Sequence, residues 1–287
     1  MAYLEDRIMT YKIIGDSCLD LTRELKQDPV FQTIPLTLQV GEVQIADDES
    51  FDQQAFIKMV KECPECPQTA CPSPELFLQA YKTAGTDVIY VITLSSHLSG
   101  SWNSARVAAD MFQEEGHTTP VYVIDSHSAS SGELNIALKV RELCEQGLLP
   151  QEIYDKAMEY RDKMNTYFVL ESLDTLRKNG RLSGLQAFFA TALNIKPVMG
   201  EKDGVIIKLD QARGMNRALQ RMCETAVKEA AAPEDMRVVI CHVNHPKRAQ
   251  QVKEELEKLA LFKEIIITKA AGVATVYAND GGIVIAM

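Results

Sequence analysis

The sequence predicts an α/β protein of two domains, an N-terminal domain on an open, mostly parallel sheet and a C-terminal α+β domain. Short apolar runs alternate with stretches of helical periodicity up to about residue 165, which is typical of strand–helix units. Beyond that point the apolar segments are less regularly ordered. The chain has 287 residues, 46% of them hydrophobic, which is enough for two cores. We place the domains at residues 11–165 and 166–287.

The N-terminal elements begin with the apolar run at Tyr11, which breaks at Gly15 as a buried strand followed by a turn. "FQTIPLTLQVG" predicts a second strand. A helix follows over 51–63, and another over 73–85 has Pro74 at its first position. "TDVIYVITL" is almost continuously apolar, as expected for a parallel strand covered on both faces. The helix "NSARVAADMFQEEG", the strand "PVYVIDS" and the helix "SGELNIALKVRELCEQG" complete this half.

The C-terminal half contains several short strands and intervening helices. "IKPVMGEKDGVIIKLDQARG" predicts a hairpin that turns near Asp203-Gly204. We expect helices over about 215–231 and from Pro246 to Leu259. "MRVVICHV", "EIIITKA" and "GGIVIAM" predict the remaining strands.

Composition and charge argue against two classes of partner. The formal net charge is −10, so bulk electrostatics repel nucleic acids and anionic bilayers. No apolar run reaches the roughly 18 residues of a membrane span. The opening "MAYLEDRIMT" lacks the pattern of a secretion signal. We therefore expect a cytoplasmic protein that neither binds nucleic acid nor inserts stably into a membrane.

Three of the seven cysteines cluster at Cys63, Cys66 and Cys71. The first two form a CxxC pair, which favours either a zinc or redox site or an ordinary loop. No second CxxC or His pair follows at zinc-finger spacing. We expect loop thiols and no bound metal.

The loops "GDSCLD", "LSSHLSGS" and "DSHSASSG" follow predicted parallel strands, so they meet at one edge of the sheet. The serines of the middle loop, which we call the serine turn, are Ser95, Ser96, Ser99 and Ser101. They are explained equally by capping of the next helix and by binding of an anion at its N-terminus. Neither a GKS/T phosphate loop nor GxGxxG is present, so a small carboxylate suits the turn better than a nucleotide.

A hydrolase is the competing interpretation of the same residues. Ser96 and Asp125, with His97 or His127, contain the residue types of a Ser-His-Asp triad. The elbow GxSxG that would expose a nucleophile is absent from the sequence. The alternative function is therefore a Ser/His hydrolase acting on a small carboxylate or acyl ester.

Five motifs in order resemble the DegV family of bacterial fatty-acid-binding proteins. "GDSCLDL" is similar to the family's "TDSTADL", "TACPSPELF" to "TSQPSPxxF", and "TLSSHLSGSWNSA" to "xxSSxLSGTYxSA". "YVIDSHSASSG" and "DTLRKNGRLS" match in kind, so the resemblance runs from Asp16 to Ser183. It implies two domains with a lipid tunnel between them, holding one long-chain free fatty acid. It also implies no cofactor and no chemistry by the protein itself, with the acid presented to a fatty acid kinase for phospholipid synthesis.

The resemblance also implies roles for individual residues. Thr69, Ser95 and Ser96 match the positions that bind the carboxylate. Arg181 matches an arginine of the head-group end that is tied to the kinase, although pairing with an acid in a turn is the plainer alternative. Tyr277 takes roughly the place of the family's histidine near the head group. Tyrosine donates a hydrogen bond but is not cationic at neutral pH, so head-group recognition is expected to differ here.

The tail of a fatty acid needs a wall of large apolar side chains. "LQAFFATALNIKPVM" provides such residues, which periodicity alone predicts to be core residues, with lining of the tail as the functional alternative. The side chains expected to line the acyl tail are Leu185, Phe188, Phe189, Leu193 and Ile195.

Overall fold

A computed structural model of the chain describes residues 9–182 and 194–287. The strands are β1 (Tyr11–Asp16), β2 (Phe31–Ile34), β3 (Thr37–Val40), β4 (Val43–Ala46), β5 (Gln68–Ala70), β6 (Val88–Thr93), β7 (Val121–Asp125), β8 (Thr166–Val169), β9 (Ile195–Lys202), β10 (Val205–Arg213), β11 (Arg237–His242), β12 (Glu264–Lys269) and β13 (Ile283–Ala286). The helices are α1 (Gln53–Glu62), α2 (Pro74–Thr83), α3 (Ser101–Glu114), α4 (Ser131–Glu145), α5 (Pro150–Lys163), α6 (Asp174–Lys178), α7 (Met215–Glu229), α8 (Pro246–Leu259) and α9 (Gly272–Ala278). Short 3-10 helices connect some of them.

The first sheet is parallel, with strand order β2-β1-β6-β7. All six residues of β6 are buried, because α2 and α3 pack on one face and α4 and α5 on the other. Tyr90 and Ile92 point toward the α4 side, whereas Ile89 and Val91 point toward the α2 side. This explains the almost continuous apolar run, since alternate residues of a strand lie on opposite faces.

The segment predicted as one strand after Phe31 is two strands, so that prediction is wrong. Pro35 separates β2 from β3 and has no N–H to give to a ladder. β3 then pairs antiparallel with β4 and β5 in a separate small sheet. The next residue, Leu36, donates its N–H to the Ser17 hydroxyl at 3.1 Å, which ties the break to the loop after β1.

The second large sheet has the order β10-β9-β8-β13-β11-β12 and mixes parallel and antiparallel pairs. β9 and β10 form the predicted hairpin, with Asp203 and Gly204 at its turn. Both residues have positive φ, 52° and 80°, as the tight turn of a two-residue hairpin requires. The α+β character predicted for this half is confirmed.

The two large sheets face each other across α4. Ser131 donates its hydroxyl hydrogen to the Val284 carbonyl, and the Asn135 amide donates to the Ala286 carbonyl. The strands of the first sheet all precede residue 126, and those of the second all follow residue 165. The division between 165 and 166 falls between these sets and stays a prediction. Within residues 9–182 and 194–287, no helix is both long and apolar enough to cross a bilayer.

Candidate functional site

A cavity lies where the loops at the carboxyl edge of the first sheet face the second large sheet. Its empty volume is about 840 Å³, including a part open to solvent. The first half of the chain contributes mainly the loops after β1, β6 and β7, with Thr69 of β5, and the second half contributes mainly β8, the β9–β10 hairpin, α9 and Val284 of β13. The described residues around it include Cys18, Leu36, Leu94, Leu98, Ala129, Phe168, Leu170, Leu176, Ile206, Val273, Ala274, Ala278 and Val284. Most of the surface of the cavity is apolar, and its polar lining residues are Thr69, Ser99, His127, Ser128, Ser130, Thr166, Arg181, Glu201 and Tyr277.

Alternate residues along β8 line the cavity. Thr166, Phe168 and Leu170 all line the cavity, as side chains two residues apart share one face of an extended strand. Val284 of β13 is the register partner of Phe168 and lines the cavity beside it. One face of the second sheet therefore contributes apolar side chains to the wall of the cavity.

One end of the cavity holds two hydroxyls and a guanidinium. The Thr69 hydroxyl and the Tyr277 phenol are 2.9 Å apart. The guanidinium carbon of Arg181 lies 5.7 Å from the Tyr277 ring centroid, and Arg181 Nε donates to the Leu98 carbonyl at 3.2 Å. No ion pair joins Arg181 to a carboxylate among the described residues. We call these three residues the Thr69–Tyr277–Arg181 end, a group of donors suited to a carboxylate.

The helix that carries Tyr277 is held in place by two carboxylates from the first half of the chain. Asp47 accepts hydrogen bonds from the N–H groups of Gly272 at 2.6 Å and Val273 at 2.9 Å. Asp20 accepts from the Ala271 N–H at 2.5 Å. A Cβ on Gly272 would overlap Leu38 Cδ1, so only glycine allows this approach. These hydrogen bonds hold the start of α9 against the segments of the first half that contain Asp20 and Asp47.

Burial raises the pKa of two aspartates, Asp16 and Asp20, whose carboxylates accept hydrogen bonds from these loops. Burial raises the pKa of Asp20 to about 7, partly offset by its hydrogen bonds. Burial also raises the pKa of Asp16 to about 6, although the N–H groups of Leu94 and Cys18 donate to this carboxylate at 3.0 Å each. Asp16 thereby joins the loop after β1 to the loop after β6. Through Asp16 and Asp20, the "GDSCLD" motif holds together the segments beside the cavity.

Ser95 and Ser96 of the serine turn do not line the cavity, whereas Ser99 does. Ser95 is fully buried, and its hydroxyl donates to the Gly204 carbonyl at 2.8 Å. Ser96 has an exposed side chain, and its N–H donates to Asp125 Oδ1 at 3.1 Å. The turn therefore connects β6 to the β9–β10 hairpin. A role of Ser95 and Ser96 in carboxylate binding stays a prediction.

The structure does not assemble the residues of the hydrolase alternative. His127 Nε2 lies 3.9 Å from Asp125 Oδ2, but His97 is exposed. Throughout residues 9–182 and 194–287, no serine hydroxyl is hydrogen-bonded to an imidazole ring. A serine nucleophile with its base is thus not formed in the described part of the chain.

Four of the five predicted tail-lining residues, Leu185, Phe188, Phe189 and Leu193, lie outside the described residues. Ile195 lies at the start of β9, is half-buried, and is not among the residues that line the cavity. The polar group formed by Ser128, Thr166 and Glu201 was not among the predicted site residues. The sequence signal near Thr166 is the apolar run "TYFVL", which predicts a strand but does not single out Thr166 as a site residue.

Comparison with known proteins gives consistent results across the whole chain. The model of the DegV family, described as an uncharacterised protein family, matches residues 10–287. A DegV domain-containing protein from Streptococcus pyogenes serotype M18 is 36% identical over 280 residues, covering 96% of this chain and 98% of the relative. These two matches extend beyond the motifs that carried the resemblance.

Two solved structures are also similar to this chain. A DegV family protein from Ruminococcus gnavus, refined with vaccenic acid, has 40% identity and a TM-score of 0.94, covering 97% of this chain and all of that one. The Streptococcus pneumoniae Fatty Acid Kinase (Fak) B3 protein, loaded with linoleic acid, has 33% identity and a TM-score of 0.87, covering 97% of this chain and 99% of that one. The family model, the curated relative and the two solved structures agree, and this chain belongs to the DegV family.

Proposed function

We propose that this chain binds one long-chain fatty acid, with its carboxylate at the Thr69–Tyr277–Arg181 end and its acyl tail in the apolar cavity. The observation that carries the proposal is a cavity whose surface is mostly apolar and whose lining includes two hydroxyls and a guanidinium that lie close together. The fatty acids bound by the similar proteins from R. gnavus and S. pneumoniae support it.

The tail contributes most of the gross affinity in this proposal, and the head group provides selectivity. Each buried CH₂ contributes about 0.8 kcal/mol, so a long saturated chain is held mainly by its tail. A hydrogen bond to a charged acceptor adds roughly 1.5–3 kcal/mol. The Thr69 and Tyr277 hydroxyls therefore select an acid over an alcohol of equal length.

Ser95 and Ser96 remain proposed additional ligands of the carboxylate, each with a condition. Ser95 must release the Gly204 carbonyl, because a hydroxyl donates only one hydrogen bond. Ser96 must turn inward from its exposed position. The single variants Ser96→Ala and Thr69→Ala separate the two contributions, and we expect the larger loss of affinity for Thr69→Ala.

Presentation of the bound acid to a fatty acid kinase is the second part of the proposal. Its support is the likeness to the S. pneumoniae Fak B3 protein. Arg181 lies at the head-group end of the cavity and is only half-buried, so it is the residue we propose for contact with the kinase or with the carboxylate. In this proposal the chain binds its ligand without a cofactor and does not itself catalyse the reaction.

A titration of lipid-free protein tests the proposal. The protein is unfolded, extracted with solvent, refolded, and titrated with hexadecanoic acid and with hexadecanol. We expect saturable binding of one acid per chain and weaker binding of the alcohol. Binding of neither ligand by protein that has regained its native circular dichroism would refute the proposed function.

A further inference from the structure

The turn of the β9–β10 hairpin extends beyond the sheet that carries it. β9 pairs with β8 as far as Gly200, whereas its pairing with β10 continues to Lys202. Residues 201–206 therefore form a two-stranded extension, which we call the hairpin tip. Two strands on their own have little stability in water. The position of the tip thus depends on the residues that it contacts.

The hairpin is irregular at the point where the tip begins. The register of β9 and β10 shifts between Lys208 and Asp210, so Leu209 is the extra residue of a β-bulge. Leu209 packs on Gly200, where an added Cβ would lie 2.5 Å from Leu209 Cδ1. A bulge interrupts the ladder and bends its strand locally. This part of the hairpin therefore suits a hinge.

The tip is part of the cavity wall and packs against the serine turn. Glu201, Gly204 and Ile206 all line the cavity. A Cβ added at Gly204 would lie 2.7 Å from Ser95 Oγ and 3.1 Å from His97 Cδ2, so the two segments are in close contact. Two parts of the wall, one from each half of the chain, meet at this contact.

One hydrogen bond joins the tip to the first half of the chain within residues 9–182 and 194–287. The Ser95 hydroxyl donates it to the Gly204 carbonyl at 2.8 Å. In contrast, the start of α9 is joined to the first half by three hydrogen bonds to the carboxylates of Asp20 and Asp47. Hydrogen bonds to charged groups are also stronger than neutral ones. The tip is therefore held more weakly than α9.

We propose that Ser95 is a positioning residue that holds the hairpin tip over the cavity, and that the fatty acid enters and leaves when the Ser95–Gly204 hydrogen bond breaks. Rotation of the tip about its hinge separates two parts of the wall and leaves the ladder with β8 intact. Segments that close over a ligand commonly set the rates of binding and release. This inference rests on the proposed fatty-acid function.

The experiment compares the wild type with Ser95→Ala, which removes the hydrogen bond and leaves the sequence of the tip unchanged. Dissociation of hexadecanoic acid and of hexadecanol is measured by transfer from loaded protein to an excess of serum albumin. Affinity is measured by isothermal titration. Asp203→Asn is the matched control, since Asp203 is exposed on the same tip, does not line the cavity, and has a φ of 52° that asparagine tolerates.

We expect Ser95→Ala to release the acid and the alcohol about threefold to tenfold faster, as loss of one neutral hydrogen bond requires. The affinity for each ligand should change by less than about twofold, because the closed tip slows entry and exit alike. Asp203→Asn, an exposed substitution, should leave the dissociation rates within a factor of about two. Unchanged rates in Ser95→Ala, or an equal rise in Asp203→Asn, would overturn the inference.

The alcohol separates this role of Ser95 from direct binding of the carboxylate. If the Ser95 hydroxyl binds the carboxylate, Ser95→Ala weakens the affinity for the acid and leaves the alcohol unaffected. That result would overturn the inference, although the chain would still bind a fatty acid. Should Ser95→Ala fail to fold, Gly204→Ala is the second variant, because its Cβ would overlap Ser95 Oγ. It should also speed the release of both ligands, and unchanged rates would contradict the inference.

Hydrogen exchange of the ligand-free protein tests the contact without any ligand. Amides of residues 201–206 should exchange faster in Ser95→Ala than in the wild type, whereas those of β1 and β6 should not change. Equal exchange of the tip in both proteins would overturn the inference. If the wild type binds neither the acid nor the alcohol, the proposed function fails, and this measurement still shows whether Ser95 holds the tip.

Discussion

The Thr69 hydroxyl and the Tyr277 phenol lie 2.9 Å apart, although 208 positions separate them along the chain. Thr69 belongs to the small antiparallel sheet and Tyr277 to α9, so the contact joins the two halves of the protein in the wall of the cavity. Both groups donate hydrogen bonds and neither is cationic at neutral pH. A carboxylate that takes the place of this mutual contact receives two donors at once.

The substitution Tyr277→Phe should weaken binding of hexadecanoic acid by about one to two decades, because it removes one hydrogen bond to a charged acceptor. Hexadecanol should lose less affinity, since it brings no charge. Isothermal titration of both ligands measures the difference. Tyr154→Phe is the control, because Tyr154 packs in the core of the first sheet away from the cavity. Equal losses for acid and alcohol would mean that Tyr277 shapes the wall without recognising the carboxylate.

The substitution Gly272→Ala should lower the free energy of unfolding by about 1–3 kcal/mol, a typical cost of overpacking. The new Cβ would overlap Leu38 Cδ1 and lie 2.6 Å from Asp47 Oδ1, so α9 must move. Fatty-acid affinity should fall with it, because α9 carries Tyr277. Chemical denaturation and ligand titration measure the two effects. Wild-type stability in this variant would show that the close approach of α9 is not required.

Asp20 should make the protein more stable at mildly acidic pH than at pH 8. Its pKa is raised from 3.8 to about 7 in the folded state, so between those values the folded state binds more protons than the unfolded state. The free energy of unfolding therefore falls as pH rises through this window and levels off above about pH 7. An asparagine side chain does not titrate, so this part of the pH dependence should disappear in Asp20→Asn.

The measurement is the difference in unfolding free energy between the wild type and Asp20→Asn at several pH values from about 5 to about 8. This difference removes contributions that both proteins share, including that of His242, whose pKa is lowered by burial to about 4. The wild-type advantage should shrink as the pH rises. A constant or growing advantage would contradict the assignment of a raised pKa to Asp20.

Cys63, Cys66 and Cys71 should bind no metal. Cys63 and Cys66 are half-buried and Cys71 is exposed. Within the described ranges, no three side chains of the kinds that ligate metals are grouped closely enough to hold an ion. Elemental analysis of protein purified without chelator measures this. Zinc at about one atom per chain, the stoichiometry of a structural site, would overturn the prediction.

The parallel sheet and the meeting of its loops were predictable from local patterns. β1, β6 and β7 are apolar runs that end near Gly15, Leu94 and Asp125, and parallel strands bring their carboxyl ends to one edge. The pairing of Thr69 with Tyr277 was expected only through the motifs of a known family. Nothing in composition or periodicity relates two residues so distant in the chain.

Other features depend on register and long-range packing, which no local pattern contains. Glu201 lies beside Thr166 only because β8 pairs antiparallel with β9 in one register. The Ser95 hydroxyl was predicted to face a ligand, yet it donates to the Gly204 carbonyl, 109 residues away. Pro35 divides a run that is otherwise well patterned for one strand, because the missing N–H outweighs the β propensity of its neighbours.

Quantitative mass spectrometry of lipid extracted from protein purified from a bacterial host tests the central claim most directly. The protein is denatured in organic solvent after extensive washing, and the extract is compared with that of an unrelated protein purified in the same way. We predict close to one long-chain fatty acid per chain and none in the control. An extract without stoichiometric fatty acid, from protein that also takes up none when stripped and refolded, would contradict the proposed function.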